Sequence, residues 1–166
     1  MASNAAPDRL TALELEAWSG LLSTHATLVR ELDWRLRSEH GMPFRVYDVL
    51  ATLDMTRDRR LRMSQLADRL VLSPSRLTRV VAELEREGWI ERRADDADAR
   101  AALALLTSSG LAALRRARRT HHAVIREGFL GRLREPDLRT LARIWRRAGT
   151  TDPGLDEALS TMRDGG

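Results

Sequence analysis

Residues 63–110, MSQLADRLVLSPSRLTRVVAELEREGWIERRADDADARAALALLTSSG, change their hydrophobic period partway along, and that change decides the fold. In residues 65–71, Leu66, Ala67 and Leu70 fall on one side of a short helix, with Ser64 a suitable N-cap. Ser73 followed by Pro74 is a stronger start signal, a capping hydroxyl before a proline at the first helical position. The helix that follows, residues 74–87, stops at Gly88, which suits the left-handed position past a helix end. Beyond Gly88 the period shifts from 3.6 toward 2. Residues 89–92 and 101–106 read as strands, although the alanines of the second are poor strand formers. Between them RRADDADAR, residues 92–100, forms the tip of a β-hairpin.

A short helix, a tight turn, a second helix and a two-stranded hairpin, in that order, make a winged helix-turn-helix. On a helical wheel Leu77, Val80, Val81 and Leu84 share one face of the second helix. Ser75, Arg79, Ala82 and Arg86 lie opposite, with Arg76 and Thr78 on the flanks. The exposed N-terminal half therefore offers two arginines and small hydroxyls. Arginine can pair with guanine O6 and N7, and hydroxyls can reach phosphates or base edges. Free N–H groups around Ser73 to Arg76 add a positive end suited to a phosphate. Ser73, Ser75, Arg76, Thr78 and Arg79 are the candidate readers of double-stranded DNA. In the hairpin, Arg100 is the candidate minor-groove residue, Asp98 its orienting partner, and Arg92 and Arg93 candidate phosphate contacts. The plainer alternative is a solvated helix whose arginines serve solubility, Arg86 being balanced by Glu83 and Glu87.

Outward from this core, residues 8–37 carry Leu10, Leu13, Ala17, Leu21, His25, Leu28 and Leu32 at helical spacing, interrupted by Gly20 at a cost of about 1 kcal/mol. Gly41 closes that helix. Pro43 opens another at a first-turn position, its inner face being Val46, Tyr47, Val49, Leu50 and Leu53. Residues 56–60 form a polar, basic loop, and residues 61–63 a very short strand. Thr107 caps a long helix bearing Leu111, Leu114, His121, Val124, Ile125 and Phe129. Glu135-Pro136-Asp137 starts a last main helix through Ala148, with Leu138, Leu141, Ile144 and Trp145 expected inward. In the Gly- and Asp-rich tail, Leu155, Ala158, Leu159 and Met162 allow a weak turn or two. The expected organisation is mainly α with a small β-hairpin. Residues 1–40 and 107–149 form flanking dimerisation helices, residues 43–110 the winged lobe, and residues 150–166 a weakly helical or disordered tail.

Composition supports a folded domain. Of 166 residues, 43% are hydrophobic and 31% charged, an ordinary globular balance. All 28 basic residues are arginine, and with a net charge of only +4 it is their placement that carries information. The absence of cysteine excludes disulfides, thiolate chemistry and cysteine-ligated zinc. The longest apolar run, residues 101–106, is too short for a membrane span, and residues 1–10 lack a secretory pattern, so a cytoplasmic location is expected.

The three aspartates at 95, 96 and 98 are not a calcium loop. Counting from Asp95 puts Arg100 at the sixth position and Leu106 at the twelfth, and from Asp96 Ala101 and Thr107, where glycine and glutamate are required. His121 and His122 are adjacent and cannot form an i,i+4 ligand pair; His25 and His40 are isolated. No nucleophile triad, phosphate-binding glycine loop or dinucleotide fingerprint is present, so neither an enzyme nor a resident metal or cofactor is expected.

From about Pro43 to Gly110 this pattern resembles the MarR (multiple antibiotic resistance regulator) family of transcription factors, down to the closing Leu106-Thr107-x-x-Gly110. Asp95, Asp98 and Arg100 match that family's Asp-x-x-Asp-Arg-Arg wing, while Ala99 replaces its middle arginine and removes one cation from each wing. The resemblance implies a homodimer, more often a repressor, and a small aromatic or anionic effector held between the dimerisation helices and the winged lobe. Trp18, His25, Trp34, Met42 and Tyr47 are the candidate lining, although His25 on its apolar stripe also reads as a core or dimer-interface residue. Two other readings remain. One is a winged-helix module for protein or RNA, without sequence-specific DNA readout. The other is a dimerisation module of an enzyme such as a methyltransferase, for whose catalytic domain no length is left.

Overall fold

A computed structural model describes residues 9–95 and 98–149, with only the backbone of Ala99 and Arg100. The turns expected around Leu155 and Met162 therefore lie outside the described residues. Helix α1 spans Ala12–His40. It starts later and ends later than the hydrophobic stripe predicts, because the capping groups set its ends. Thr11 Oγ1 accepts the Glu14 N–H (3.2 Å), and the Glu14 carboxylate accepts the Thr11 N–H (2.7 Å), a reciprocal cap. Gly41, at φ 64°, turns the chain out at the other end. Gly20 leaves the helix unbroken.

Helix α2 spans Phe44–Asp54, and Pro43 occupies the N-cap, one position before its expected place in the first turn. Proline has no side-chain acceptor. Asp33 of α1 supplies one instead, its carboxylate taking the Phe44 N–H at 2.9 Å. Strand β1 (Arg60–Arg62) passes directly into α3 (Met63–Arg69). Met63 is thus helical, and Ser64 lies inside the helix instead of capping it. The Gln65 side chain accepts the Arg62 N–H (3.1 Å) at the cap.

Val71 connects α3 to α4 (Pro74–Arg86) at φ 52° and 91% exposed, a conformation unfavourable for a β-branched residue. Gly88, at φ 70°, leads into β2 (Ile90–Asp95), which pairs antiparallel with β3 (Asp98–Leu106). Strand β3 also pairs with β1, so the sheet has the order β1-β3-β2. The central place of β3 explains how an alanine-rich segment stays in a sheet. It has neighbours on both sides, and Ala104 is fully buried.

Helix α5 (Ser108–Gly128) is capped by Thr107, whose hydroxyl accepts the Gly110 N–H at 3.0 Å. A Cβ at Gly110 would run into the Trp89 carbonyl, so the glycine lets α5 start flush against the entry to β2. A 3₁₀ turn (Leu130–Arg132) leads to α6 (Glu135–Ala148). The core gathers Leu36, Met42, Leu50, Leu53, Leu66, Leu77, Leu84 and Leu114 from α1 to α5. Helix α6 contributes nothing to it. Leu138, Leu141 and Trp145, expected inward, are only half-buried and Ile144 is exposed, because among the described residues no element encloses that face. The N-terminal half of α1 is similarly exposed, at Leu13, Trp18, Leu21 and Leu22, as is Leu10 just before it. Among the described residues no helix is long and apolar enough to cross a membrane.

Candidate nucleic-acid interface

Helix α4 is held by its inner face and left open on its outer one. Leu77, Val80, Val81 and Leu84 are buried, while Ser73, Ser75, Arg76, Thr78 and Arg79 are all exposed, the division that the wheel predicts. Ser73 Oγ accepts the Arg76 N–H at 3.4 Å, and its hydroxyl lies 3.3 Å from that of Ser75. The Thr78 hydroxyl donates to the Pro74 carbonyl (2.8 Å), so toward a ligand it can only accept. Neither the Arg76 nor the Arg79 guanidinium has an acidic partner among the described residues. Two uncompensated forks thus stand on one exposed helical turn.

The arginines at the base of the wing differ. Arg92 Nε lies 2.6 Å from Glu85 Oε2, which reaches back from the end of α4. Arg93 is bidentate on Glu91, Nε donating to Oε1 (2.7 Å) and Nη2 to Oε2 (2.9 Å), and these bonds hold the Glu91 carboxyl below the usual range. Such exposed pairs contribute about 0–1 kcal/mol, so a phosphate can compete for the cation. Asp98 is exposed at the start of β3. The side chain of Arg100, its expected partner, lies outside those described. Asp95 instead meets Arg62, whose Nε and Nη2 are both 2.7 Å from Asp95 Oδ2. Glu85 and Arg62 were not singled out by sequence. Their roles depend on strand register and on the approach of α4 to β2, for which a single chain carries no local signal.

An open cleft of about 450 Å³ separates wing from helix, lined by Arg62, Ser64, Thr78, Arg92 and Asp98 among others. Its walls carry the Arg62 and Arg92 guanidinium donors beside the Ser64 and Thr78 hydroxyls.

The five residues expected to line an effector cleft are not brought together within one chain. Met42 and Tyr47 are core residues, His25 is exposed, and Trp18 and Trp34 are 53% and 64% exposed. Trp18 and Trp34 are sixteen residues apart on α1, about 24 Å along the axis, and point to nearly opposite sides. Tyr47 stacks on His121 of α5 instead, ring centres 4.3 Å apart at 19°, with Phe44 parallel to the same imidazole at 6.4 Å. Burial, with His122 and Arg118 nearby, pushes His121 down to about 4, and its Nδ1 has no hydrogen-bond partner among the described residues. Met42 borders a smaller hollow of about 340 Å³ with His40, Trp89 and Arg116.

Comparison with known proteins agrees with this geometry. The MarR family sequence pattern matches residues 40–101. Sco3205, a MarR family transcriptional regulator from Streptomyces coelicolor solved in complex with DNA, is 34% identical; the match covers 88% of this chain and 91% of that one, with a TM-score of 0.78. AbsC, a MarR family transcriptional regulator from the same organism, is 29% identical over 86% of this chain and 95% of its own, with a TM-score of 0.76. The transcriptional repressor MprA of Escherichia coli is 30% identical over 126 residues; the chain spans 62% of that relative's length. With the family pattern on the winged lobe and the same architecture across nearly the whole of Sco3205, the chain belongs to the MarR family.

Proposed function

We propose that this protein is a homodimeric transcriptional repressor that reads a pseudo-palindromic site in double-stranded DNA. The observation that carries the reading is the outer face of α4, where Arg76 and Arg79 lack acidic partners among the described residues and stand beside the Ser73 and Ser75 hydroxyls. Arg92 and Arg93 each hold a carboxylate that a phosphate must displace, whereas Arg76 and Arg79 present their donors without one among the described residues. A base-reading fork needs its donors free. The Sco3205 structure in complex with DNA and the repressor MprA support the same reading for a relative of this chain.

Residues 1–40 and 107–149 are proposed to dimerise, because among the described residues α6 buries no side chain and the first half of α1 leaves large apolar side chains exposed. The two α4 helices then enter successive major grooves and the wings the flanking minor grooves. Repression is proposed to be relieved by a small aromatic or anionic ligand that prefers a dimer spaced wrongly for DNA. Its proposed place is the Tyr47–His121 stack near Arg118, where a partner's α1 would bring further lining residues.

Arg79→Ala tests the assignment of α4. Losing a bidentate contact to guanine costs about 1–3 kcal/mol and flattens preference at one base position in each half-site. Binding that instead depends on salt alone and ignores sequence, before and after the substitution, would favour an RNA- or protein-binding module.

A further inference from the structure

We propose that Arg62 is a positioning residue for the wing, acting through Asp95, so that DNA affinity depends on the bridge and not only on the charge of its members. The proposal rests on the DNA-binding reading above and adds a residue that the wing sequence does not contain. Strand β1 ends at Arg62, opposite Leu103, whereas β3 begins at Asp98 and β2 runs on to Asp95. The far end of the hairpin therefore projects past the third strand as a two-stranded ribbon, an arrangement that is marginal by itself. Its ladder is irregular between Ala94 and Asp95. At that irregularity the Asp95 side chain is only 13% exposed and takes both Nε and Nη2 of Arg62 at 2.7 Å.

Arg62 is well placed for this work. Its backbone belongs to β1, and its N–H is held by Gln65 of α3 at 3.1 Å. The bridge thus ties the projecting ribbon to the body of the helix-turn-helix, about where the wing would otherwise pivot. Arg62 also lines the cleft between the wing and α4, together with Thr78 and Arg92. Its grip on Asp95 therefore sets the gap that a sugar–phosphate strand must enter. With five donors in a rigid fork, Arg62 can hold Asp95 and still offer an N–H to a phosphate.

Asp95 makes the idea testable, because charge and positioning predict opposite signs. An acid beside the DNA path repels phosphates, so as a mere surface charge its removal by Asp95→Asn tightens binding. As an anchor, its removal frees the ribbon and weakens binding.

The experiment uses the full chain, a duplex carrying its selected site, and hydroxyl-radical footprints compared at equal occupancy. Asp95→Asn and Arg62→Met are each expected to lose protection of the flanking minor-groove segments while keeping protection of the central half-sites. Affinity falls about tenfold, the range of a single lost DNA contact. The double variant is expected to be no weaker than the weaker single one, as for two partners of one bridge. Arg62→Lys, which keeps the charge but not the fork, is expected to restore part of the flanking protection lost in Arg62→Met. Should Arg62→Met not fold, the near-isosteric Asp95→Asn carries the same test. An Asp95→Asn protein that binds as tightly as the parent or tighter, with flanking protection intact, overturns the proposal and leaves the DNA-binding reading standing. A parent protein that protects no half-site on any duplex overturns both.

Discussion

His121 shows how much one buried side chain can decide. Packed on Tyr47, it is held neutral by burial, its pKa down at about 4. The unfolded chain takes up a proton near the ordinary histidine value of about 6.5, and the folded chain does not. The stability this neutral ring contributes is therefore complete above about pH 6.5 and is lost as the pH falls toward 4. Urea midpoints measured between pH 7 and 4.5 are expected to fall with acidification, with a slope approaching about 1.4 kcal/mol per pH unit from this group. In His121→Phe that part of the slope is expected to vanish. A variant with the same pH dependence as the parent would show that another group is responsible. The sequence placed His121 on the apolar stripe of its helix without a ligand partner, but the Tyr47 ring packed on it and the lowered pKa were not legible there.

Among the elements, the ones set by local chemistry were the most legible. The Ser73-Pro74 start of α4, the left-handed Gly88 and the Thr107 cap of α5 lie where their side chains predict. Errors arose where a neighbour supplied what the local sequence lacked. Asp33 caps α2 from another helix, and β1 flows into α3 without a loop, so Ser64 is not a cap. The exposed face of α4 followed from periodicity alone. The acid partners of Arg62 and Arg92 did not, since strand register and helix approach decide them. Gly110 is the clearest junction between elements, because a methyl group there meets the Trp89 backbone carbonyl, which cannot rotate away. Gly110→Ala is expected to cost about 2 kcal/mol, within the range for overpacking, seen as a lowered thermal midpoint. An unchanged midpoint would mean that α5 can shift off β2 freely.

At the scale of the whole molecule the apolar faces are unevenly placed. The winged lobe closes its core, while α6 and the first half of α1 leave Leu13, Trp18, Leu22 and Ile144 in contact with solvent. The sequence showed those stripes plainly but could not show that they stay open among the described residues, because periodicity marks an apolar face and not what covers it. Ile144→Glu puts a charge on the open face of α6. It is expected to shift the protein toward a monomer in sedimentation velocity while the monomer's helix content is retained. A monomeric parent would remove the dimer from the account.

The central claim, that paired α4 helices read a symmetric DNA site, is tested most directly by selecting bound duplexes from a random pool. The account predicts enrichment of an inverted repeat whose half-site centres lie about one helical turn, roughly 10 base pairs, apart. No enriched sequence, or a single half-site without its repeat, would contradict it.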